Sequence, residues 1–244
     1  VIKLFCSFYN EAALIPFFLS HYHYVDAIQA FVTPSTDATR ELLSADPRVT
    51  LVDVEMPHGI DDDQKVAELN AAIAKPDRAH DWHIVVDADE FIWPMGDPTG
   101  ETAKAYLATV PASDVALNGW LHQIYRTADD VDLDVSQTPV VLQRRHGYLF
   151  GAKPSVFRSN RGLQLVPGNH FFINRALSSE THKFEGAHWQ NADPSFAVTR
   201  RVRDRAERIS PQNRLKHHGT HHWDETASMV YAELAEHFHD PVVF

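Results

Sequence analysis

Trp82-His83-Ile84-Val85-Val86-Asp87-Ala88-Asp89-Glu90-Phe91 is the stretch on which the fold turns. A short apolar run, too short for a helix of ordinary length, stops abruptly at a group of carboxylates; it reads as a strand buried on both faces that ends at Asp87. Toward the N-terminus the same kind of run recurs at Ile2–Phe8, Ala27–Val32 and Val49–Val54. Between these runs the spacing becomes helical. Leu14, Ile15, Phe18, Leu19 and Tyr22 lie on one stripe, with Asn10 as the expected N-cap. Thr33–Asp37 reads as a turn leading into a helical segment that runs through Leu43. A helix is expected from Asp61 to Lys75, and Asp61, Asp62 and Asp63 suit the positive end of its dipole. The order β-α-β-α-β-α-β predicts a parallel sheet with crossover helices.

Past residue 110 the rhythm changes. Val115–His122, Val140–Gln143, Ser155–Arg158 and His170–Asn174 look like shorter strands, and Pro194–Ile209 and Asp224–His237 look helical. The expectation is one α/β domain over residues 1–244. Its first half, about 1–95, carries a mostly parallel, Rossmann-like sheet flanked by helices, and its second half, about 96–244, is mixed.

Composition narrows the function. The formal charge is −11 and no basic stripe dominates, which argues against nucleic acid as a partner. Cys6 is the only cysteine, so no internal disulfide can form, in keeping with a reducing compartment. Apolar runs stay far below the ~20 residues a membrane helix needs. No signal peptide is visible, and the chain lacks an initial Met. A cytoplasmic protein, peripheral at a membrane at most, is expected, and the chain reads as a piece that a longer protein could contain. Sixteen histidines stand out, among them His217, His218, His221 and His222 around Gly219-Thr220.

In open α/β sheets ligands gather beyond the carboxyl ends of the strands, where Asp87, Asp89 and Glu90 lie. In an extended segment residues two apart point the same way, so Asp87 and Asp89 are expected to converge on one ion, with Glu90 turned away. Oxygen ligands suit Mg²⁺ or Mn²⁺, which would offset the repulsion between carboxylates and a diphosphate. The plainer alternative is a solvated acidic turn. Between Asp134 and Glu180 there is no acid at all, while Arg144, Arg145, Lys153, Arg158, Arg161 and Arg175 give that stretch a local charge of +6. Such a stretch could hold phosphates or form a solvated basic face.

Four groups of residues, taken in order, resemble one family: Tyr9-Asn10-Glu11-Ala12; Ser35-Thr36-Asp37-Ala38-Thr39-Arg40; Gln64, Asn70 and Trp82 leading into Val86-Asp87-Ala88-Asp89-Glu90-Phe91; and Lys153-Pro154 through Arg158, then Gly168-Asn169-His170, then His188 ahead of an Arg-rich helix. Over residues 2–205 the chain is similar to family 2-type glycosyltransferases of the GT-A fold, in the subgroup with an Asp-x-Asp-Glu-Phe motif. The resemblance implies a nucleoside-diphosphate sugar donor, with UDP foremost. It implies transfer, with inversion, to a hydroxyl of a glycan, glycolipid or protein acceptor in glycan or polysaccharide synthesis. A Mn²⁺ or Mg²⁺ ion would sit at Asp87, Asp89 and His188, with His170 as the substitute histidine. Ser7, Tyr9, Asn10, Glu11, Asp37, Gln64, Asp87, Lys153 and Arg158 would face the donor, and Asp89 and Glu90 the reaction centre. Two features depart from the pattern. Phe31-Val32-Thr33-Pro34 lacks the acid that commonly contacts the nucleobase, and the Glu-Asp pair that often supplies a base is not evident.

Candidates for that base are Glu90, His122, Glu185 and Asp193. Trp120, His122 and Tyr125 could line an acceptor pocket or pack in the core. Rival readings are a hydrolase, using either histidine-bound metal at the 217/221 and 218/222 pairs or the Asp89/Glu90 carboxylates, and a catalytically silent sugar-nucleotide-binding module.

Overall fold

The computed structural model describes residues 1–76, 81–168, 172–173, 178–205, 208–217, 225–237 and 242–243, the side chains of 178–182 and 205 excepted. Strands β1 (Ile2–Phe8), β2 (Ala27–Val32), β3 (Val49–Asp53) and β4 (Trp82–Asp87) form where the apolar runs predicted them. Their pairings, β3 on β2, β2 on β1 and β1 on β4, are all parallel. Helices α1 (Ile15–His21), α2 (Thr39–Ser44) and α3 (Asp62–Ile73) provide the crossovers. Asp61 caps α3 by accepting from the backbone N–H groups of Asp63 and Gln64. Asn10 caps nothing. The first helix begins only at Ile15, where Pro16 presets the first turn, and Asn10 takes a left-handed φ of 51° and bends the chain instead.

The sheet continues with β5 (Glu90–Pro94), β6 (Ala116–Tyr125), β7 (His146–Arg158) and β8 (Ser178–Asn191), and α4 (Ala103–Thr109) lies between β5 and β6. The eight strands run in the order β3-β2-β1-β4-β7-β6-β8-β5. The β4–β7, β6–β7 and β5–β8 pairs are antiparallel, while β6–β8 is parallel. The sheet is therefore mixed, not mostly parallel: past β4 a long antiparallel return strand replaces the helical crossover. β7 pairs only with Trp82, His83 and Ile84 and leaves β4 beyond them, so the Val85–Asp87 end is open on that side. That opening is the room for a site.

Val140–Gln143 is a 3-10 turn and not a strand. It buries Val140 and Val141 without a ladder, just after Pro139, which has no N–H to donate. Of the expected strand His170–Asn174, only Phe172 and Ile173 lie within the described residues, and Phe172 bridges Leu165. The expected long helix from Pro194 is α5 (Pro194–Val198) followed by a π-helical stretch, Thr199–Arg205. Helices α6 (Pro211–Leu215) and α7 (Ala227–Glu236) complete the chain, each capped by a hydroxyl, of Ser210 and Thr226. No helix among the described residues is long and apolar enough to cross a membrane.

The segment His21-Tyr22-His23-Tyr24 fixes the strand that follows the acidic turn. The Tyr22 hydroxyl donates to Glu90 O at 2.7 Å and accepts from Ile92 N at 3.1 Å. The Tyr24 hydroxyl and His21 Nε2 both donate to Ile92 O, at 2.6 and 2.9 Å. Burial pushes His21 down to about 4, so the ring stays neutral and can occupy an apolar layer. Gly147 is a second constraint, because a Cβ there would meet Gln123 O at 1.9 Å. Gly147→Ala is expected to destabilise by about 1–3 kcal/mol through displacement of the β6–β7 ladder. An unchanged urea midpoint would contradict that.

Candidate functional site

A cavity of about 930 Å³ opens at the carboxyl ends of β1 and β4. Of the residues expected from the sequence, Ser7, Tyr9, Glu11, Asp87, Glu90, Lys153 and His188 line it. Asn10 and Asp37 line a smaller adjoining cavity of about 250 Å³ with Glu11 and Arg200. There they work as loop anchors. Asp37 accepts from Ala12 N and Thr39 N, both at 3.0 Å, and Asn10 Oδ1 accepts from Thr36 N at 2.8 Å.

Two expected donor contacts are not brought to the site. Arg158 pairs with Trp82 at the opposite end of β4, its guanidinium 4.3 Å from the indole centroid, and donates to the carbonyls of Val110 and Asp114. Five strand residues, about 16 Å, separate it from Asp87. Gln64 donates to Glu55 O at 2.6 Å and is not on the wall; its neighbour Lys65 faces the cavity instead.

The acidic segment does not continue as a strand. Ala88 and Asp89 form a turn between β4 and β5, so the alternation that would have aligned Asp87 with Asp89 is broken. Asp87 Oδ1 accepts from Lys65 Nζ at 2.5 Å, and its Oδ2 lies 3.5 Å from Lys153 Nζ. Glu90 folds back rather than away: its Oε2 accepts from Asp87 N at 3.0 Å and its Oε1 pairs with Lys153. Asp89, fully buried, pairs with Arg200 and with His188 Nε2 at 3.1 Å, and Arg200 bridges on to Glu11 at 3.0 Å.

Burial alone would raise the carboxyls of Asp87 and Asp89. Lys65 and Lys153 outweigh it at Asp87, Arg200 and His188 outweigh it at Asp89, and both are held well below the usual range. The same pairing raises Lys153 and Arg200 against the opposing effect of burial. Because both folded-state carboxyls are depressed, their stabilisation is complete above about pH 5 and is lost as the pH falls below about 4. The urea-midpoint gap between the protein and Asp87→Asn should therefore shrink between about pH 6 and pH 3; a constant gap would contradict the pairing.

Several site residues were not singled out in the sequence. Besides Lys65 they are Gln123 on β6, and Arg200, Asp204 and Arg208 around the π-helical stretch. The Arg208 guanidinium lies 3.5 Å from the Tyr9 ring centroid. Asp204 Oδ1 accepts from Asn10 at 3.1 Å, while its buried Oδ2 has no partner among the described residues. Burial raises this carboxyl, only partly offset by Asn10 and by the arginines nearby.

Asp89 and His188 fit a divalent cation. Gln123 Oε1, an acceptor, lies 2.8 Å from His188 Nδ1, and a cation at Nε2 would take the place of the proton that Nε2 shares with Asp89. Ligands at right angles around Mg²⁺ lie about 2.9 Å apart, close to the 3.1 Å observed, and the buried Asp89 Oδ1 has no hydrogen-bond partner among the described residues. Asp87 fits less well, since both its oxygens face lysines. Among the described residues no group of three or more His, Cys, Asp and Glu forms a ready metal centre.

Of the other candidates, Asp193 caps α5, and His122, Glu185 and Trp120 are not on the cavity wall, whereas Tyr125 is. His170, Arg175, His218, His221 and His222 lie outside the described residues.

No protein-family model and no curated protein matches the chain. Solved structures do show partial similarity. One is glucosyl-3-phosphoglycerate synthase from Mycobacterium tuberculosis in complex with Mn²⁺, UDP-glucose and phosphoglyceric acid, at 16% identity and a TM-score of 0.34, over 50% of this chain. A 4-diphosphocytidyl-2C-methyl-D-erythritol synthase is similar at 14% identity and 0.36, over 64% of this chain and 74% of that one. Mouse xyloside xylosyltransferase 1 is similar at 13% identity and 0.27, over 66% and 67%. The matched part spans 44% of the length of the mycobacterial synthase.

Proposed function

We propose that the chain is a glycosyltransferase that takes a nucleoside-diphosphate sugar, with UDP as the nucleotide, and passes a hexosyl group to an acceptor hydroxyl. One observation carries the reading: Lys65, Lys153 and Arg200 converge on a carboxylate turn, with Arg208 in the same cavity, at the strand ends where α/β sheets receive phosphate ligands. The ordered motifs found in the sequence support it independently.

In this reading Lys65, Lys153 and Arg200 receive the diphosphate, and Tyr9 with Arg208 offers a stacking face to the base. Ser7 and Glu11 floor the donor end, and Asn10 and Asp37 hold its loop. Asp204 accepts from the base or ribose, a role for which Phe31–Pro34 offers no acid. Asp89 and His188 would hold Mn²⁺ or Mg²⁺, with Asp87 left to its lysines; the ion, when bound, neutralises charge on the departing diphosphate. Glu90, both of whose oxygens are engaged, clamps the turn and is assigned that role in place of the base.

Calorimetry with UDP, GDP and CDP, with and without Mn²⁺, tests the proposal. Metal-dependent binding of UDP that weakens at least about tenfold in Asp89→Asn is expected, as for loss of a charged contact. Failure of all three nucleotides to bind in the presence of metal would end the reading. Asp204→Asn should weaken UDP binding about tenfold while leaving its metal dependence intact; unchanged affinity would remove Asp204 from the donor site.

A further inference from the structure

The half of the cavity away from the lysines has a different chemistry. Tyr148 and Phe150 are two residues apart on β7, both line the cavity, and they are 43% and 50% exposed. The register of β7 against β6 shifts between Leu149 and Gly151, so Phe150 stands at a bulge, and both rings still line the cavity. Tyr148 is backed by Tyr125, at a 6.2 Å centroid distance with the rings 27° apart, so its orientation is fixed. The Phe150 ring lies 5.6 Å from that of His188, which places the end of this aromatic wall beside Asp89.

Glu225 and Glu233, both paired with Arg201, line the same cavity. Glu233 Oε1 also accepts from the Tyr125 hydroxyl at 3.0 Å and from Asn191 at 3.3 Å. Two carboxylates on one guanidinium leave this end net negative. An anionic headgroup is disfavoured here, and a hydrocarbon chain would strip water from charged groups without replacing their hydrogen bonds. A pyranose suits both walls, with C–H faces for the rings and hydroxyls for the fixed carboxylates.

We propose that Tyr148, Phe150, Glu233 and Arg201 form the acceptor subsite, and that its occupant is a neutral hexopyranose of a glycan. The assignment rests on the donor reading above, which makes His188 and Asp89 the neighbouring reaction centre.

Saturation-transfer NMR with methyl and octyl hexosides, on the whole chain with UDP and Mn²⁺, tests it. At least one methyl hexoside should bind, Tyr148→Ala and Phe150→Ala should each weaken it about tenfold or more, and UDP affinity should stay unchanged. Both side chains are half exposed, and circular dichroism of the variants checks that they fold. UDP binding with no hexoside bound would overturn the subsite and leave the donor reading standing. So would octyl hexosides binding more than tenfold tighter than methyl ones, which would make the wall a lipid site. Loss of UDP binding in the unmutated protein would overturn the donor reading, and the subsite with it.

Discussion

Arg200→Met is expected to lower the unfolding free energy by about 3–5 kcal/mol, the cost of leaving a buried ion pair without one partner. Arg200 pairs with Glu11 at 3.0 Å and lies closer to Asp89 than His188 does, and all three side chains are nearly inaccessible to water. Methionine fills much of the volume, so the loss reports charge rather than a void. Arg200→Lys should recover part of it, because a single ammonium keeps the charge but cannot fork to two carboxylates. Urea denaturation of the three proteins at neutral pH measures this. A loss below about 1 kcal/mol for Arg200→Met would mean that the cluster is solvated and screened.

Phe91→Ala is expected to cost about 3–5 kcal/mol, for a different reason. The ring is completely buried, stacked on Tyr22 at 6.4 Å and 8° and packed against Trp189 at 4.7 Å. His21 and Phe18 close the remaining sides, so little of the cavity could collapse. Phe91→Leu should cost less than half as much. Since neither change touches the cations, UDP affinity per folded molecule should be retained in both. A selective loss of affinity at intact stability would show that Phe91 acts on the carboxylate turn rather than through the core.

How far these positions can be read from sequence depends on whether the cause is local. Strands β1, β2 and β4 are legible because burial writes a nearly continuous apolar run, the half-buried edge strand β3 still shows in Val49, Leu51 and Val52, and Asp61 is legible as a cap because its partners are two and three residues away. The return strand β7 was foreseen only at Ser155–Arg158: its first part holds His146, Gly147 and Gly151, which interrupt any period. Most of β8, including Lys183-Phe184-Glu185-Gly186, has no clear alternation either, since β8 lies between β6 and β5 and is constrained by both. The carboxylates of the site stand together in the chain and were found. Their counter-charges, Lys65, Lys153 and Arg200, come from a helix, a return strand and a π-helical turn, and only Lys153 was singled out beforehand. No spacing rule links residues that meet across 22, 63 and 111 positions.

The path of the chain from β4 to β5 has a consequence for biosynthesis. These strands are separated by a two-residue turn, yet they occupy the fourth and eighth places of the sheet, and β5 finds its partner only in β8. A ribosome that has released the first 95 residues has delivered Glu11, Asp87, Asp89 and Glu90, but of their counter-charges only Lys65. Lys153, His188 and Arg200 arrive later, in that order. The nascent chain therefore carries a patch of mutually repelling carboxylates beside an unpaired strand, and each later segment that docks brings the cation that relieves it. The site can close only once the segment through Arg200 has been made.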